Sequence, residues 1–317
     1  MSLDRTAGFD EDTSEMLYRA SLLENDRVLS PPSCDDDVYL LVIVVSEPGH
    51  FSHRVQLRET VKVLPYRGKR FRIVFITSRP KDPNTDAILH SESFIYNDII
   101  QASHWNAYRN MTYTALESLK WTMTECGHVK FLLKIDDDVL VIYEHILDYA
   151  MGLEKENVRF VYAGLHNENP LPSRNVDGKW YLSYADYKYK TLPPFVCGFA
   201  VLFSQDTVRE IYRASFHVSR VYNIQRQTFP LDDAFVGICA KYAKIQLRKV
   251  LWLCYEWPHV KAAVKVDRCV LVKLKAVHGI PGHKRIKVYI DQLKKMTAGE
   301  RKACQMKNIP LPNRCFK

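Results

Sequence analysis

The regular pattern of the chain begins with Val38–Val45, an uninterrupted apolar run with the sequence VYLLVIVV. Such a run is too short for a typical buried helix and is typical of a strand that is buried on both faces. Two kinds of pattern then alternate: we predict helices at 51–64, 103–124 and 143–151, and strands at 70–77, 129–135 and 158–163. Strands separated by helices predict an α/β fold, with a mostly parallel sheet and helices on both of its faces.

Length and composition bound the organisation of the chain. Its 317 residues, 47% of them hydrophobic, suffice for one large domain or two coupled domains. Residues 1–33 show no clear periodicity and end in Ser-Pro-Pro-Ser, which predicts a tail or linker. No apolar run approaches the roughly 18 residues of a membrane-spanning helix, and the acidic N-terminus lacks the apolar stretch of a signal peptide. We therefore expect no transmembrane anchor in this chain.

Positive charge is concentrated towards the C-terminus. Residues 241–317 contain 19 Lys and Arg against 4 Asp and Glu, whereas the preceding residues are net acidic. An anionic partner would explain this distribution, and a solvated basic face would explain it equally well. Because no Arg- or Lys-rich block has interleaved aromatic residues, a nucleic-acid partner is not expected.

The eight cysteines are widely spaced and form no Cys-x-x-Cys pair, which argues against a structural zinc site. Disulfides in an oxidising compartment and scattered buried thiols both fit this spacing. The spacing alone leaves both interpretations open.

Three adjacent carboxylates, Asp136, Asp137 and Asp138, follow the predicted strand at 129–135. Adjacent carboxylates repel one another unless a cation lies among them. Ligands of open α/β sheets bind beyond the carboxyl ends of the strands, and Mg²⁺ and Mn²⁺ prefer oxygen donors. The position predicts a metal site that contacts phosphate, with a solvated acidic turn as the alternative. The same triplet at 35–37 precedes a strand, and we interpret it as solvated.

Three further segments contain candidate site residues. Asp232 and Asp233 lie at the start of a predicted helix, where either capping or a general-base role explains a carboxylate. The Pro-Pro pair before Cys197 and Gly198 predicts either a cleft-lining loop or an ordinary turn. His278 stands alone, and an isolated histidine is more often structural than a ligand.

Four motifs in the same order resemble those of one enzyme family. The family segment Arg-x-x-x-Arg-x-Thr-Trp resembles RVQLRETV at 54–61, and Lys-x-Asp-Asp-Asp-x-x-Val matches KIDDDVLV at 134–141. Lys-Trp-Tyr and Tyr-Pro-Pro-Tyr-Cys-x-Gly resemble KWY at 179–181 and LPPFVCG at 192–198, and Glu-Asp-Val-Tyr-Val-Gly resembles DDAFVG at 232–237. The chain thus resembles the β1,3-galactosyltransferase family of inverting, metal-dependent Golgi glycosyltransferases, which includes β1,3-N-acetylglucosaminyltransferases and Fringe.

The resemblance implies a GT-A type nucleotide-sugar fold. A nucleotide-sugar-binding half would span 34–165, and a continuous acceptor-binding and catalytic half would span 166–317. The implied reaction moves a sugar from a UDP-sugar to an acceptor glycan on a glycoprotein or glycolipid in β1,3 linkage. Galactose is the expected sugar and N-acetylglucosamine the alternative. The implied location is the Golgi lumen or membrane.

The resemblance also implies roles for matching residues. Asp136, Asp138 and His278 would hold Mn²⁺ or Mg²⁺, and Asp233 would be the general base. The residues that would bind the donor nucleotide are Arg54, Arg58, Lys134, Asp136 and Asp137. Those that would contact substrate are Trp180, Pro194, Phe195, Gly198 and Asp232. A luminal location would make Cys197 and Cys239 a candidate disulfide.

Several positions depart from the family motifs. Val61 replaces a Trp, Thr114 replaces a Lys, and Phe199 replaces a Gly. These departures favour a rival interpretation, a non-catalytic relative that binds glycans. The intact Asp triplet, Asp233 and His278 oppose it, so we predict an active glycosyltransferase.

Overall fold

A computed structural model of the chain describes residues 11–24, 27–60, 66–168, 170–221, 229–251, 253–254, 257–279 and 291–309. The helices are α1 (Glu11–Leu23), α2 (Phe51–Thr60), α3 (Pro83–Tyr96), α4 (Met111–Glu125), α5 (Tyr143–Lys155), α6 (Gln205–Val221), α7 (Asp232–Tyr242), α8 (Trp257–Val266), α9 (Val270–Lys273) and α10 (Ala298–Met306). None of these helices combines the length and apolarity that crossing a bilayer requires.

The strands are β1 (Arg27–Leu29), β2 (Val38–Val45), β3 (Arg70–Arg79), β4 (Ile99–Trp105), β5 (Phe131–Asp136), β6 (Leu140–Val141), β7 (Tyr162–Asn167), β8 (Phe195–Ser204), β9 (Leu247–Lys249), β10 (Leu253–Cys254) and β11 (Ala276–Val277). Within the described residues, eight of them form one sheet in the order β1-β4-β3-β2-β5-β8-β7-β9. β4, β3, β2 and β5 run parallel, whereas β8 is antiparallel to both β5 and β7. The predicted α/β fold with a mostly parallel central sheet is confirmed, and the antiparallel β8 is an addition to it.

Two apolar cores cover the two faces of this sheet. Leu41 and Ile43 of β2 belong to the core that α4, α6 and α7 complete, and Leu40 and Val42 belong to the core that α2 and α5 complete. Successive strand residues point to opposite faces, and both faces of β2 are buried. This double burial explains why the sequence of β2 is continuously apolar.

A smaller sheet holds a segment that is distant in the sequence next to the end of β5. Its central strand β11 is antiparallel to β6, with Val277 opposite Leu140. A separate apolar core that includes Val260 of α8 covers the pairing. Because β6 begins just after the Asp triplet and β11 ends just before His278, the pairing brings His278 to the triplet.

The predicted helix at 103–124 is wrong in its first part. β4 continues through Trp105, and a 3₁₀ turn at Tyr108–Asn110 precedes α4. α3 was not predicted at all, and its apolar residues explain why. Phe94 and Ile95 are 92% and 69% exposed, so they do not mark a buried face.

Part of the predicted tail is folded. The ring centroid of Tyr18 in α1 lies 6.1 Å from those of Tyr212 and Phe216 in α6. β1 extends the large sheet by pairing with β4. The interpretation of 1–33 as a tail or linker is therefore wrong for α1 and β1, whose few apolar contacts gave no visible periodicity.

The cysteines pair differently from the expectation. Cys34 is bonded to Cys126, and Cys269 to Cys304. The predicted disulfide between Cys197 and Cys239 is wrong. Cys239 belongs to α7 and is buried in the core on one face of the sheet, whereas Cys197 packs against the core on the other face. The sheet itself separates the two sulfur atoms.

Candidate active site

The Asp triplet lies at the carboxyl end of the central strands. Asp136 is the last residue of β5, opposite Val45 at the end of the parallel strand β2. This is the edge of an α/β sheet where ligands bind. The other triplet lies at the opposite end of β2, where Asp37 is exposed and contacts Arg70 at 2.6 Å. Position along the strand separates the two triplets, as predicted.

Asp136, Asp138 and His278 form a cluster with the geometry of a metal site. One potential ligand atom of each lies within 4.8 Å of the other two. Nε2 of His278 lies 3.5 Å from Oδ1 of Asp138. Gly279 follows with a φ of 75°, a conformation that residues with a side chain disfavour. Two carboxylates and one imidazole suit Mn²⁺, and Mg²⁺ accepts the same oxygen donors.

The electrostatics of Asp136 are consistent with a cation. Burial raises its pKa to about 7, and Lys134 opposes this shift while Asp232 and Asp138 add to it. A divalent cation among these groups would relieve the repulsion and favour the ionised carboxylates. The residues present therefore fit a divalent metal ion.

Asp137 points away from this cluster. Its Oδ2 accepts a hydrogen bond from Oγ of Ser46 at 2.8 Å and lies 2.9 Å from Nδ1 of His50. The triplet is thus divided between two environments, with Asp136 and Asp138 on one side and Asp137 on the other.

Lys134 and Asp232 form a buried ion pair between β5 and α7. Nζ of Lys134 donates to Oδ2 of Asp232 at 3.0 Å and to the carbonyl oxygen of Gly198 at 3.4 Å. Burial lowers the pKa of Lys134, but Asp232 and Asp136 outweigh this effect, so the pKa is raised and the ammonium stays charged. The motifs indicated that Lys134 and Asp232 each contact a ligand. They did not indicate the ion pair between the two residues.

Asp233 lies in the first turn of α7. Its Oδ1 accepts a hydrogen bond from the amide of Ala234 at 2.7 Å. Burial raises its pKa to about 7, and the neighbouring Asp232 adds to the shift while backbone amides and Lys134 oppose it. The carboxylate thus accepts a backbone amide in the first turn of the helix and has a raised pKa, and its surroundings are compatible with both interpretations from the sequence. Such a group is suited to accept a proton.

Most of these groups border a cavity of about 440 Å³, but Asp137 and Asp138 are not part of its lining. The predicted site residues that line it are Lys134, Asp136, Trp180, Phe195, Gly198, Asp232, Asp233 and His278. Gly198 lies between the charged groups: a Cβ there would be 3.5 Å from Cβ of Asp233 and 3.9 Å from Nζ of Lys134. The missing side chain keeps this part of the cavity open.

The two predicted donor-binding arginines lie outside the lining. Arg54 is fully buried and donates to Glu92, to Oγ of Ser46 and to two backbone carbonyls. Arg58 donates to Glu92 and Asp98. Both guanidinium groups connect α2 to the α3 region. Arg54 also reaches the Asp triplet indirectly, through the hydroxyl of Ser46.

Two lining residues were missed or misread from the sequence. Tyr108 lines the cavity, and burial together with Asp232 and Asp233 raises its pKa. The sequence analysis did not indicate it because it lies outside all four motifs. Phe199 also lines the cavity, with its ring centroid 5.5 Å from that of His278. Pro194, in contrast, is exposed and lies outside the lining.

Fold and site together define an α/β protein with a ligand cavity at the carboxyl end of its central strands. A family model described as Galactosyltransferase matches residues 52–251. The match covers more than half of the chain, and the chain belongs to the galactosyltransferase family. The resemblance inferred from the four motifs is confirmed.

Individual relatives give the same result. The chain is 30% identical over 250 residues to lactosylceramide 1,3-N-acetyl-beta-D-glucosaminyltransferase of Rattus norvegicus, covering 77% of this chain and 63% of the relative. It is 28% identical over 213 residues to beta-1,3-galactosyltransferase 1 of Mus musculus, covering 67% of this chain and 63% of the relative. The matched part therefore spans a little under two thirds of the length of these relatives.

Proposed function

We propose that the protein is an inverting, metal-dependent glycosyltransferase that moves a hexose from a UDP-sugar to a hydroxyl group of an acceptor glycan in β1,3 linkage. The observation that carries this proposal is Asp233, a carboxylate with a pKa of about 7, in one cavity with Asp136 and His278. Membership of the galactosyltransferase family supports the same reaction class.

In this mechanism Asp136, Asp138 and His278 would hold Mn²⁺ or Mg²⁺. When bound, such an ion supplies Lewis-acid stabilisation of the negative charge on the departing UDP. Lys134 adds a fixed positive charge to the same cavity, and its ion pair with Asp232 holds it in place.

Asp233 performs the proton transfer. Its ionised carboxylate accepts the proton of the acceptor hydroxyl as that oxygen forms a bond to the anomeric carbon. The bond from the anomeric carbon to the UDP oxygen breaks, and its electron pair leaves with the diphosphate. One displacement from the opposite face converts an α-linked donor into a β-linked product, so no covalent enzyme intermediate is needed. A base with a pKa near the working pH is efficient because it is both available and basic enough.

The remaining predicted residues divide between two halves of a GT-A type fold, which we propose at 34–165 for the donor and 166–317 for the acceptor. Trp180 is exposed at the cavity and offers an aromatic face to a sugar, with Phe195 as part of the wall. Arg54 and Arg58 act indirectly in this proposal, by holding α2 and the segment after β2 in place.

The donor sugar has two candidates. UDP-galactose is the expectation from the motifs, and the relatives named as N-acetylglucosaminyltransferases favour UDP-N-acetylglucosamine as the second. The acceptor would be a glycan on a glycoprotein or glycolipid. We propose a Golgi location, and the disulfides Cys34–Cys126 and Cys269–Cys304 support an oxidising compartment of this kind.

Asp233→Asn tests the proposal. Loss of the base should reduce the transfer rate by roughly 10²–10⁴-fold, with UDP affinity measured by calorimetry within about twofold of the parent. Asp36→Asn, an exposed change in the other triplet, is the matched control and should leave both values unchanged. Transfer by Asp233→Asn at the parent rate would show that another group is the base.

A non-catalytic glycan-binding relative is the second candidate. Phe199, a departure from the family motif, lies next to His278 and favours it. A screen of UDP-sugars for hydrolysis and transfer separates the two functions, since a binding protein would retain glycans without turnover of any donor.

A further inference from the structure

A second group of metal-ligating side chains lies on the other side of the Asp triplet. Nδ1 of His50 is 2.9 Å, and Nδ1 of His53 is 3.8 Å, from Oδ2 of Asp137. One ligand atom of each of the three residues lies within 4.8 Å of the other two. None of these residues lines the cavity described above. The group is therefore separate from the proposed catalytic metal site, although it adjoins it through the triplet.

The local fold explains why the three side chains meet. His50 immediately precedes α2, and its carbonyl oxygen accepts hydrogen bonds from the amides of His53 and Arg54. Residues three apart at a helix start lie on one face, and the two imidazole centroids are 4.5 Å apart. Asp137 reaches this face because α2 follows β2, the parallel neighbour of β5.

Neighbouring groups contact Asp137 and His50 in the way that metal ligands are often supported in proteins. Oγ of Ser46 donates to Asp137, and Arg54 in turn donates to that Oγ at 3.0 Å. Oε2 of Glu47 lies 3.7 Å from Nε2 of His50, the nitrogen opposite the one that faces Asp137. A carboxylate near the outer nitrogen of a histidine is a common support of metal-bound imidazole.

We infer that His50, His53 and Asp137 form a second metal site, which takes a late first-row divalent ion and prefers Zn²⁺. Two imidazole nitrogens and one carboxylate oxygen suit Zn²⁺, with a fourth position left to solvent. Asp136, Asp138 and His278 offer only one nitrogen and two oxygens, a set that suits Mn²⁺ better.

The exposure of the two histidines is consistent with access for an ion. Their side chains are 37% and 34% exposed, while Asp137 is 11% exposed. A bound ion would connect the start of α2 to the Asp triplet at the end of β5. This role does not depend on the proposed sugar transfer.

The test is a titration of the intact, chelator-treated protein with Zn²⁺ in the absence of UDP, against a chromophoric chelator as competitor. The parent protein should bind Zn²⁺ with a rise in melting temperature, since a ligand of the folded state stabilises it. The double variant His50→Gln/His53→Gln should bind Zn²⁺ at this site at least about tenfold more weakly and lose the rise.

Three controls make the result specific. His90→Gln removes an exposed histidine that faces one carboxylate, Asp86, and should behave as the parent does. Asp138→Asn alters the other cluster and should retain the Zn²⁺-dependent rise, whereas Asp137→Asn should lose it. Equal Zn²⁺ affinity in the parent and the double variant would overturn the inference. So would loss of the Zn²⁺-dependent rise in melting temperature in Asp138→Asn but not in Asp137→Asn.

Discussion

The raised pKa of Asp233 makes the reaction rate depend on pH in a defined way. With a pKa of about 7, about one tenth of the carboxylate is ionised at pH 6 and about nine tenths at pH 8. Only the ionised form accepts a proton, so kcat/KM should fall about tenfold per pH unit below 7 and level off above it. An ordinary carboxylate, with a pKa of 3.8, would give a flat profile over this range.

A substitution next to the base moves this profile in a known direction. Asp232 raises the pKa of Asp233 and Lys134 lowers it. Asp232→Asn removes the neighbouring negative charge and leaves the ammonium of Lys134 without its ionised partner. Both effects lower the pKa of Asp233, so the midpoint of the profile should move to lower pH and the relative rate at pH 6 should rise.

The assay is the initial rate of transfer from pH 5.5 to 8.5 at constant ionic strength and saturating Mn²⁺. UDP binding over the same range, measured by calorimetry, separates protonation of the base from loss of the donor. Asp36→Asn again serves as the control. A flat kcat/KM profile in the parent, or a midpoint that moves to higher pH in Asp232→Asn, would refute the reasoning.

Three changes test the fold that supports the site, each through the free energy of unfolding in chemical denaturation. Replacing Cys34 and Cys126 by Ser opens a link across 92 residues and should cost about 4–5 kcal/mol. Gly237→Ala places a Cβ 2.5 Å from Cβ of Phe195 and should cost about 1–3 kcal/mol. Arg54→Met leaves buried acceptors without their donor and should cost about 3–5 kcal/mol.

Two control substitutions accompany these tests. Gly152→Ala adds a Cβ to an exposed helical position with no atom within 4 Å, so it should be neutral or stabilising. Arg19→Met removes an exposed ion pair and should change the unfolding free energy by less than about 1 kcal/mol. An effect of Gly237→Ala or Arg54→Met no larger than that of its control would contradict the packing described here.

Features that depend on local burial could be predicted from the sequence. Contacts between residues far apart in the sequence could not. Val38–Val45 was recognised because burial on both faces leaves an unbroken apolar run. The position of Asp136 at the edge of the sheet followed from its place at the end of the apolar run that forms β5. Capping and proton transfer could not be separated for Asp233 by spacing, because both place a carboxylate at a helix start.

Contacts between residues that are far apart in the sequence account for what the local patterns did not predict. The motif that includes Arg54 did not indicate its hydrogen bonds to Glu92 in α3, a helix that the apolar pattern did not reveal. The predicted pairing of Cys197 with Cys239 failed because the two residues pack into cores on opposite faces of the sheet. The grouping of His278 with Asp138 came from the family resemblance alone, because it depends on the pairing of β6 with β11, which no local pattern predicts.

The most direct test of the proposed function is a calorimetric titration of UDP into the purified protein with Mn²⁺, repeated with EDTA and with Asp138→Asn. The account predicts UDP binding that requires Mn²⁺ and is strongly weakened in Asp138→Asn, together with hydrolysis or transfer of one UDP-sugar by the parent. Absence of UDP binding in the presence of Mn²⁺, or equal binding with EDTA, would contradict it.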